Sequence, residues 1–168
     1  MNRLRTSMLT VLTLLVLTLL PMQVLAQAPA ASVNDRLEIQ EKLLYAYAYT
    51  YDSKDCVSFS NLFTTDAVLE LPAGKLVGRD AILQFCIERQ KNVLGNIKTR
   101  HNMMNIVFDQ LTPSRAETRT YLLLTWQKPG EPFPAIRPTL TYRDVIVKSD
   151  DGRWLFKERK TIDMSSAP

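Results

Sequence analysis

The sequence predicts an α+β fold in which helices pack on one face of an antiparallel sheet. Two observations lead there. Helical spacing of apolar residues is confined to the stretch from about residue 35 to Leu94, interrupted by one short strand pair. Residues 98–164 instead carry three or four long stretches rich in Val, Ile, Thr, Tyr, Leu and Trp, separated by "TPSR", "KPGEPFPAIRP" and "SDDG", which are turn and loop compositions. Helices and strands kept apart along a chain indicate α+β rather than an alternating parallel fold.

The first 26 residues differ in kind from the rest. A basic start with Arg3 and Arg5, an apolar run from Met8 to Leu20, and "VLA" before Gln27 have the form of a secretory signal peptide cleaved after Ala26. Its apolar run falls short of the roughly 20 residues that span a bilayer, so no membrane anchor is expected after cleavage. Residues 27–33, "QAPAASV", are expected to be a disordered leader, and residues 34–165 a single domain.

Asp35 and Glu38 have capping-box spacing, and Leu37, Leu43, Leu44 and the tyrosines recur at helical intervals, which predicts a helix from about 35 to 53. Asp55 is suited to cap a second helix with Val57, Phe59, Leu62 and Phe63 on its apolar side, ended by "TTDA", where Asp66 reads as a turn residue. "VLEL", "PAG" and "KLVG" read as a hairpin. Gly78 and Asp80 open a third helix, in which Ile82, Phe85, Cys86 and Arg89 recur at spacings of three and four.

Composition narrows the function. Removal of 26 from 168 residues leaves 142, enough for one ordinary core, and the formal charge falls from +4 to +2 because Arg3 and Arg5 are lost. The basic residues are scattered, with no stripe of bases and aromatics, so no nucleic-acid partner is expected. With one histidine, and two cysteines without zinc-type spacing, no metal site is expected. Cys56 and Cys86 sit among apolar neighbours and read as buried thiols, with a disulfide as the alternative in an oxidising compartment.

Five pieces, "YAYTYDSKDCVSFSNLFTTDAVLEL", "LVGRDAI", "TRHNMMN", "TYRDVIV" and "DGRWLFKER", together resemble the SnoaL-like branch of the NTF2-like superfamily. That branch includes polyketide cyclases, scytalone dehydratase and bile-acid dehydratase. The resemblance implies a cone of three N-terminal helices on a strongly curved antiparallel sheet around an apolar pocket. It further implies that Asp52, at the end of the first helix, faces His101 on the first long strand, with Tyr47 nearby. "YDSKD" resembles scytalone dehydratase closely enough to add Tyr51 as a pocket phenol. The second histidine of that enzyme is missing, so its full mechanism does not carry over. A homodimer is implied by resemblance alone.

An imidazole oriented by a carboxylate is a usable general base near neutral pH, so His101 and Asp52 lead the catalytic candidates. The plainer reading is a histidine satisfied by a carboxylate in a pocket that binds without reacting. Tyr47 and Tyr51 are four apart and share a helix face with each other, as do Tyr45 and Tyr49, which are assigned to packing. Strand alternation puts Met103 and Asn105 on the His101 face, as a pocket wall and a substrate or water contact; ordinary core is the alternative for Met103. Tyr121, Trp126, Trp154 and Phe156 read mostly as packing, and Tyr142 in "YRD" as a residue of the pocket floor. Glu158 and Arg159 look like surface or rim charges. The proline-rich loop 128–138 reads as a lid or a partner-binding edge.

Two functions follow. The first is an exported, periplasmic or secreted, cofactor-free lyase or isomerase of dehydratase or cyclase type, acting on a small hydrophobic ring or polyketide-like substrate. The alternative is a non-catalytic module that holds a hydrophobic ligand or dimerises.

Overall fold

The computed structural model describes residues 32–163, so the signal-peptide segment and nearly all of the leader lie outside the described residues. The leader reading fails at its end: Ser32 and Val33 already form the start of a helix. Ser32 caps it by accepting from the Asp35 backbone N–H at 3.1 Å, while the Asp35 carboxylate accepts from the Ser32 backbone N–H at 3.1 Å. The capping box thus sits three residues earlier than the spacing predicted, with Asp35 as its acidic partner rather than its cap. Lys148 donates to the same carboxylate at 2.9 Å. That hydrogen bond, followed by those from Ser32, holds Asp35 down at a pKa of about 2.

Helix α1 (Val33–Ile39) runs through a π-helical turn (Gln40–Leu44) into α2 (Tyr45–Asp52). Asp55 caps α3 (Cys56–Ser60), accepting from the Ser58 N–H at 3.0 Å. The "TTDA" segment is no helix stop: it lies within strand β1 (Phe63–Leu71), where the alternation of buried Phe63, Ala67 and Leu69 with more exposed residues and the β-branched threonines favour strand. Asp66 is accordingly a strand residue, ion-paired with Lys157 of a neighbouring strand. β2 (Gly74–Val77) closes the hairpin. Helix α4 (Arg79–Arg89) passes into a second π-helical turn (Gln90–Leu94), which Gly95 ends at φ 49° by donating its N–H to the Gln90 carbonyl at 2.9 Å.

Four long strands follow, β3 (Lys98–Leu111), β4 (Arg115–Gln127), β6 (Leu140–Lys148) and β7 (Trp154–Asp163), with a short β5 (Ala135–Ile136) in the proline-rich loop. The sheet runs β2-β1-β7-β6-β4-β3, with β5 paired to β4. It is curved and unclosed, and it is mixed rather than purely antiparallel, because β1 pairs in parallel with β7. Those strands come from opposite ends of the domain, so everything between them acts as the crossover that parallel pairing requires. The helices cover one face, and Ile39, Leu43, Leu44, Phe59, Phe63, Ile82, Ile146 and Phe156 form the core between the layers.

Two expectations are corrected in that core. Cys56 and Cys86 are bonded as a disulfide, with Cα atoms 5.6 Å apart, because α3 and α4 lie side by side and present both cysteines to each other. With a sequence separation of 30, the bond is expected to contribute roughly 3–4 kcal/mol through the unfolded state. Cys56→Ala/Cys86→Ala should lower the urea midpoint accordingly, and an unchanged midpoint would show that helix packing alone holds α3 to α4.

Arg159 is not a rim charge. It is fully buried and donates Nε to Asp144 Oδ1 at 2.7 Å and Nη2 to Oδ2 at 2.8 Å. Its guanidinium carbon lies 4.1 Å from the Tyr47 ring centre, 4.2 Å from that of Tyr142 and 4.0 Å from that of Phe156. The cause is a bulge in β7: Phe156 pairs with Ile146 and Glu158 with Val145, so Lys157 is an extra residue and Arg159 is turned inward. Glu158 remains exposed, as expected.

Candidate functional site

Between α2, α4, the β1–β2 turn and the inner face of the sheet lies a cavity of about 250 Å³. Its wall is mainly apolar, with Leu71, Leu122, Leu124 and Trp126, and its polar groups converge from Tyr47, Tyr51, Thr99, His101, Tyr142 and Arg89. This volume lies just below the ~300–1,000 Å³ of ordinary small-molecule sites, so only a small ring compound matches it.

The polar centre is built from the last turn of α2 and the start of β3. Asp52 closes α2 and His101 lies on β3, and their side chains are 9% and 8% exposed. Asp52 Oδ1 lies 2.7 Å from His101 Nδ1 and accepts from the Thr99 hydroxyl at 2.6 Å; Oδ2 accepts from the His101 backbone N–H at 2.8 Å. Burial pushes the Asp52 carboxyl up, but the hydrogen bond and charge of His101, with the Thr99 and backbone hydrogen bonds, outweigh it and hold Asp52 below the usual carboxylate range. An ionised carboxylate only accepts, so neutral His101 carries its proton on Nδ1 and its lone pair on Nε2, on the ring side away from Asp52.

The phenols separate as helical phase predicts. Tyr47 and Tyr51 are buried and line the cavity, whereas Tyr45 and Tyr49 are 39% and 77% exposed on an open groove across α2, so their packing assignment is corrected. The Tyr51 ring centre is 5.0 Å from that of His101, and the Tyr47 ring centre 6.2 Å. Desolvation raises Tyr51 to about 12 and also raises Tyr47 and Tyr142, so all three stay protonated donors at neutral pH. The Gln90 side chain donates to the Tyr51 carbonyl at 3.0 Å, tying the end of α2 to the turn after α4.

Tyr142 is buried in the cavity wall, on the strand expected to form the floor. Met103 does not line this cavity; it is half-buried against the core and faces the open groove. Asn105 is not a pocket residue either. A bulge between Met104 and Val107 breaks the alternation of β3, and Asn105 takes up the irregularity at φ 51° with its side chain exposed. Sequence reasoning missed Thr99 as a support of Asp52, although it lies two residues before His101 and so on the same face. It also passed over Arg89 as a cavity residue, although a cation on the apolar stripe of α4 is a signal. Among the described residues no group of three or more His, Cys, Asp or Glu is placed to hold a metal.

A model of the SnoaL-like domain matches residues 31–160 of this chain. The chain belongs to the SnoaL-like family. No curated protein sequence matches this SnoaL-like chain. Among solved structures, it is similar to a provisionally named scytalone dehydratase from Novosphingobium aromaticivorans, at 25% identity and TM-score 0.63 over 76% of this chain and 83% of that one. A second protein from that organism, described as NTF2-like with a cystatin-like fold, matches at 18% identity and TM-score 0.70 over 80% and 84% of the two chains. A protein from Catenulispora acidiphila in complex with S-DNPA matches at 22% identity and TM-score 0.68 over 77% and 93%. The last two establish the NTF2-like fold alone.

Proposed function

We propose that this SnoaL-like protein is a cofactor-free lyase or isomerase of dehydratase or cyclase type, with Asp52 and His101 as its catalytic dyad. The carrying observation is the buried Asp52–His101 pair at 2.7 Å on an apolar cavity. His101 Nε2 removes a proton from the carbon next to a carbonyl, and the electron pair moves onto the carbonyl oxygen. Tyr51 or Tyr47 donates a hydrogen bond to that oxygen. The enolate then reforms the carbonyl as a C=C bond forms and the β-hydroxyl leaves, taking the proton from the imidazolium, so the net change is loss of water. Attack of the same enolate carbon on a second carbonyl would give a cyclisation.

The named scytalone dehydratase among the similar structures and the S-DNPA complex support a small-molecule substrate. A screen of hydroxylated ring ketones for loss of water, comparing the wild type with His101→Ala and Asp52→Asn, tests the reading. Equal turnover in all three proteins would remove the dyad from the mechanism.

We place the protein outside the cytoplasm, periplasmic or secreted. The signal-like segment ending near Ala26 and the Cys56–Cys86 disulfide both support export. A homodimer through the outer face of the sheet is supported by Met104 and Tyr121, which pair across β3 and β4 and are 41% and 54% exposed, with Val107 beside them. Tyr121→Glu is expected to halve the mass measured by light scattering; a wild type already monomeric at micromolar concentration would remove the dimer.

A further inference from the structure

We infer that the cavity selects a small ring compound bearing one carboxylate, which Arg89 holds while the ring lies toward His101; this rests on reading the cavity as the substrate site. Arg89 is the last residue of α4, half-buried, and it lines the cavity together with Phe85, one turn earlier. Its guanidinium carbon is 6.0 Å from the Phe85 ring centre, and its charge and hydrogen bond pull the Tyr51 hydroxyl down against the larger effect of burial, which leaves that hydroxyl raised. No aspartate or glutamate is part of the cavity lining. The carboxylate bonded to the cavity's histidine, Asp52, is already engaged: its oxygens accept from Thr99, the His101 ring and the His101 backbone.

The other inward-turned arginines show what satisfaction looks like in this protein. Arg159 has the Asp144 carboxylate on two nitrogens, and Arg79 donates twice to the Phe63 carbonyl. Arg89 has no ion pair among the described residues and shares a hydrogen bond with the Tyr51 hydroxyl alone of the cavity's acidic groups, although a guanidinium offers five donors in a planar fork that matches a carboxylate. A cation in the last turn of a helix is favoured by the helix dipole, but that accounts for its place on α4 and not for its position on the wall of an apolar cavity. Because Arg89 is half-buried, an anion beside it keeps some hydration, while its field is less screened than at an open surface. With the charge held there, the apolar part of the ligand would fill the space bounded by Leu122, Leu124 and Trp126, against His101 and Tyr51.

The test compares 1-naphthoate with its neutral isostere 1-naphthamide, titrated calorimetrically into the purified protein, Arg89→Gln, Arg89→Lys and His101→Ala. Charge-assisted hydrogen bonds of this kind predict that the wild type prefers naphthoate by roughly 10- to 100-fold. Arg89→Gln should lose that preference with naphthamide affinity unchanged, Arg89→Lys should keep part of it, and His101→Ala should retain it. Equal binding of both probes by the wild type, or an undiminished preference in Arg89→Gln, overturns the carboxylate assignment and leaves the cavity as a neutral-ligand site. If neither probe binds the wild type, the assignment falls together with the reading of the cavity as a site for small ring compounds.

Discussion

His101→Ala is expected to lower turnover of a hydroxylated ring ketone by about 10²–10⁴-fold, the usual contribution of a positioned general base. The fold should survive, because Asp52 keeps its hydrogen bonds from Thr99 and from the backbone of residue 101. Asp52→Asn is expected to lose less, on the order of 10²-fold. Its amide cannot hold the imidazole as the Nδ1–H tautomer as the carboxylate does, yet the base itself remains. Rates measured at saturating substrate, with near-ultraviolet circular dichroism to establish folding, separate the two roles. A loss confined to KM in both variants would point instead to a pair that binds without reacting.

Arg159→Met should destabilise the protein by about 3–5 kcal/mol, the cost of leaving one member of a buried ion pair uncompensated. Asp144 would keep only the Thr118 hydroxyl, at 3.1 Å, as a side-chain partner. The rings of Tyr47, Tyr142 and Phe156 would also lose the cation they surround. Replacing both members, Arg159→Met with Asp144→Leu, should recover most of the loss, since an apolar pair of similar volume removes the stranded charge. Urea denaturation of the two single variants and the double variant gives the coupling directly. A single Arg159→Met variant within about 1 kcal/mol of wild type would mean that Asp144 tolerates solitude, contrary to its burial at 3% exposure. Tyr47 and Tyr142 join this pair to the cavity, so reduced turnover in a destabilised but folded Arg159 variant is expected to track displacement of those rings.

Much of the site was legible because it depends on local periodicity. Tyr47 and Tyr51 share a face of α2 because they are four residues apart, and both line the cavity. The same spacing correctly set Tyr45 and Tyr49 apart, but burial is a property of the whole fold, and nothing in the helix itself said that their face would be left open. Asn105 was misplaced because alternation assumes an unbroken strand, and the only local mark of the bulge in β3 is that asparagine itself, which tolerates positive φ, among strand-forming neighbours. Arg159 failed for the same reason: one extra residue in β7 reverses which side chains enter the core.

By itself the sequence determined the α+β class, the segregation of helices and strands, the cap at Asp55 and the pairing of phenols on α2. These follow from spacing along the chain and from hydrogen bonds made within a few residues. Only the tertiary structure decided that β1 lies parallel to β7, that Cys56 meets Cys86, that Arg159 is buried on Asp144, and that Arg89 lines the cavity without a carboxylate partner. Each of those depends on which distant segments come together and on strand register, and neither is encoded in any one stretch of residues.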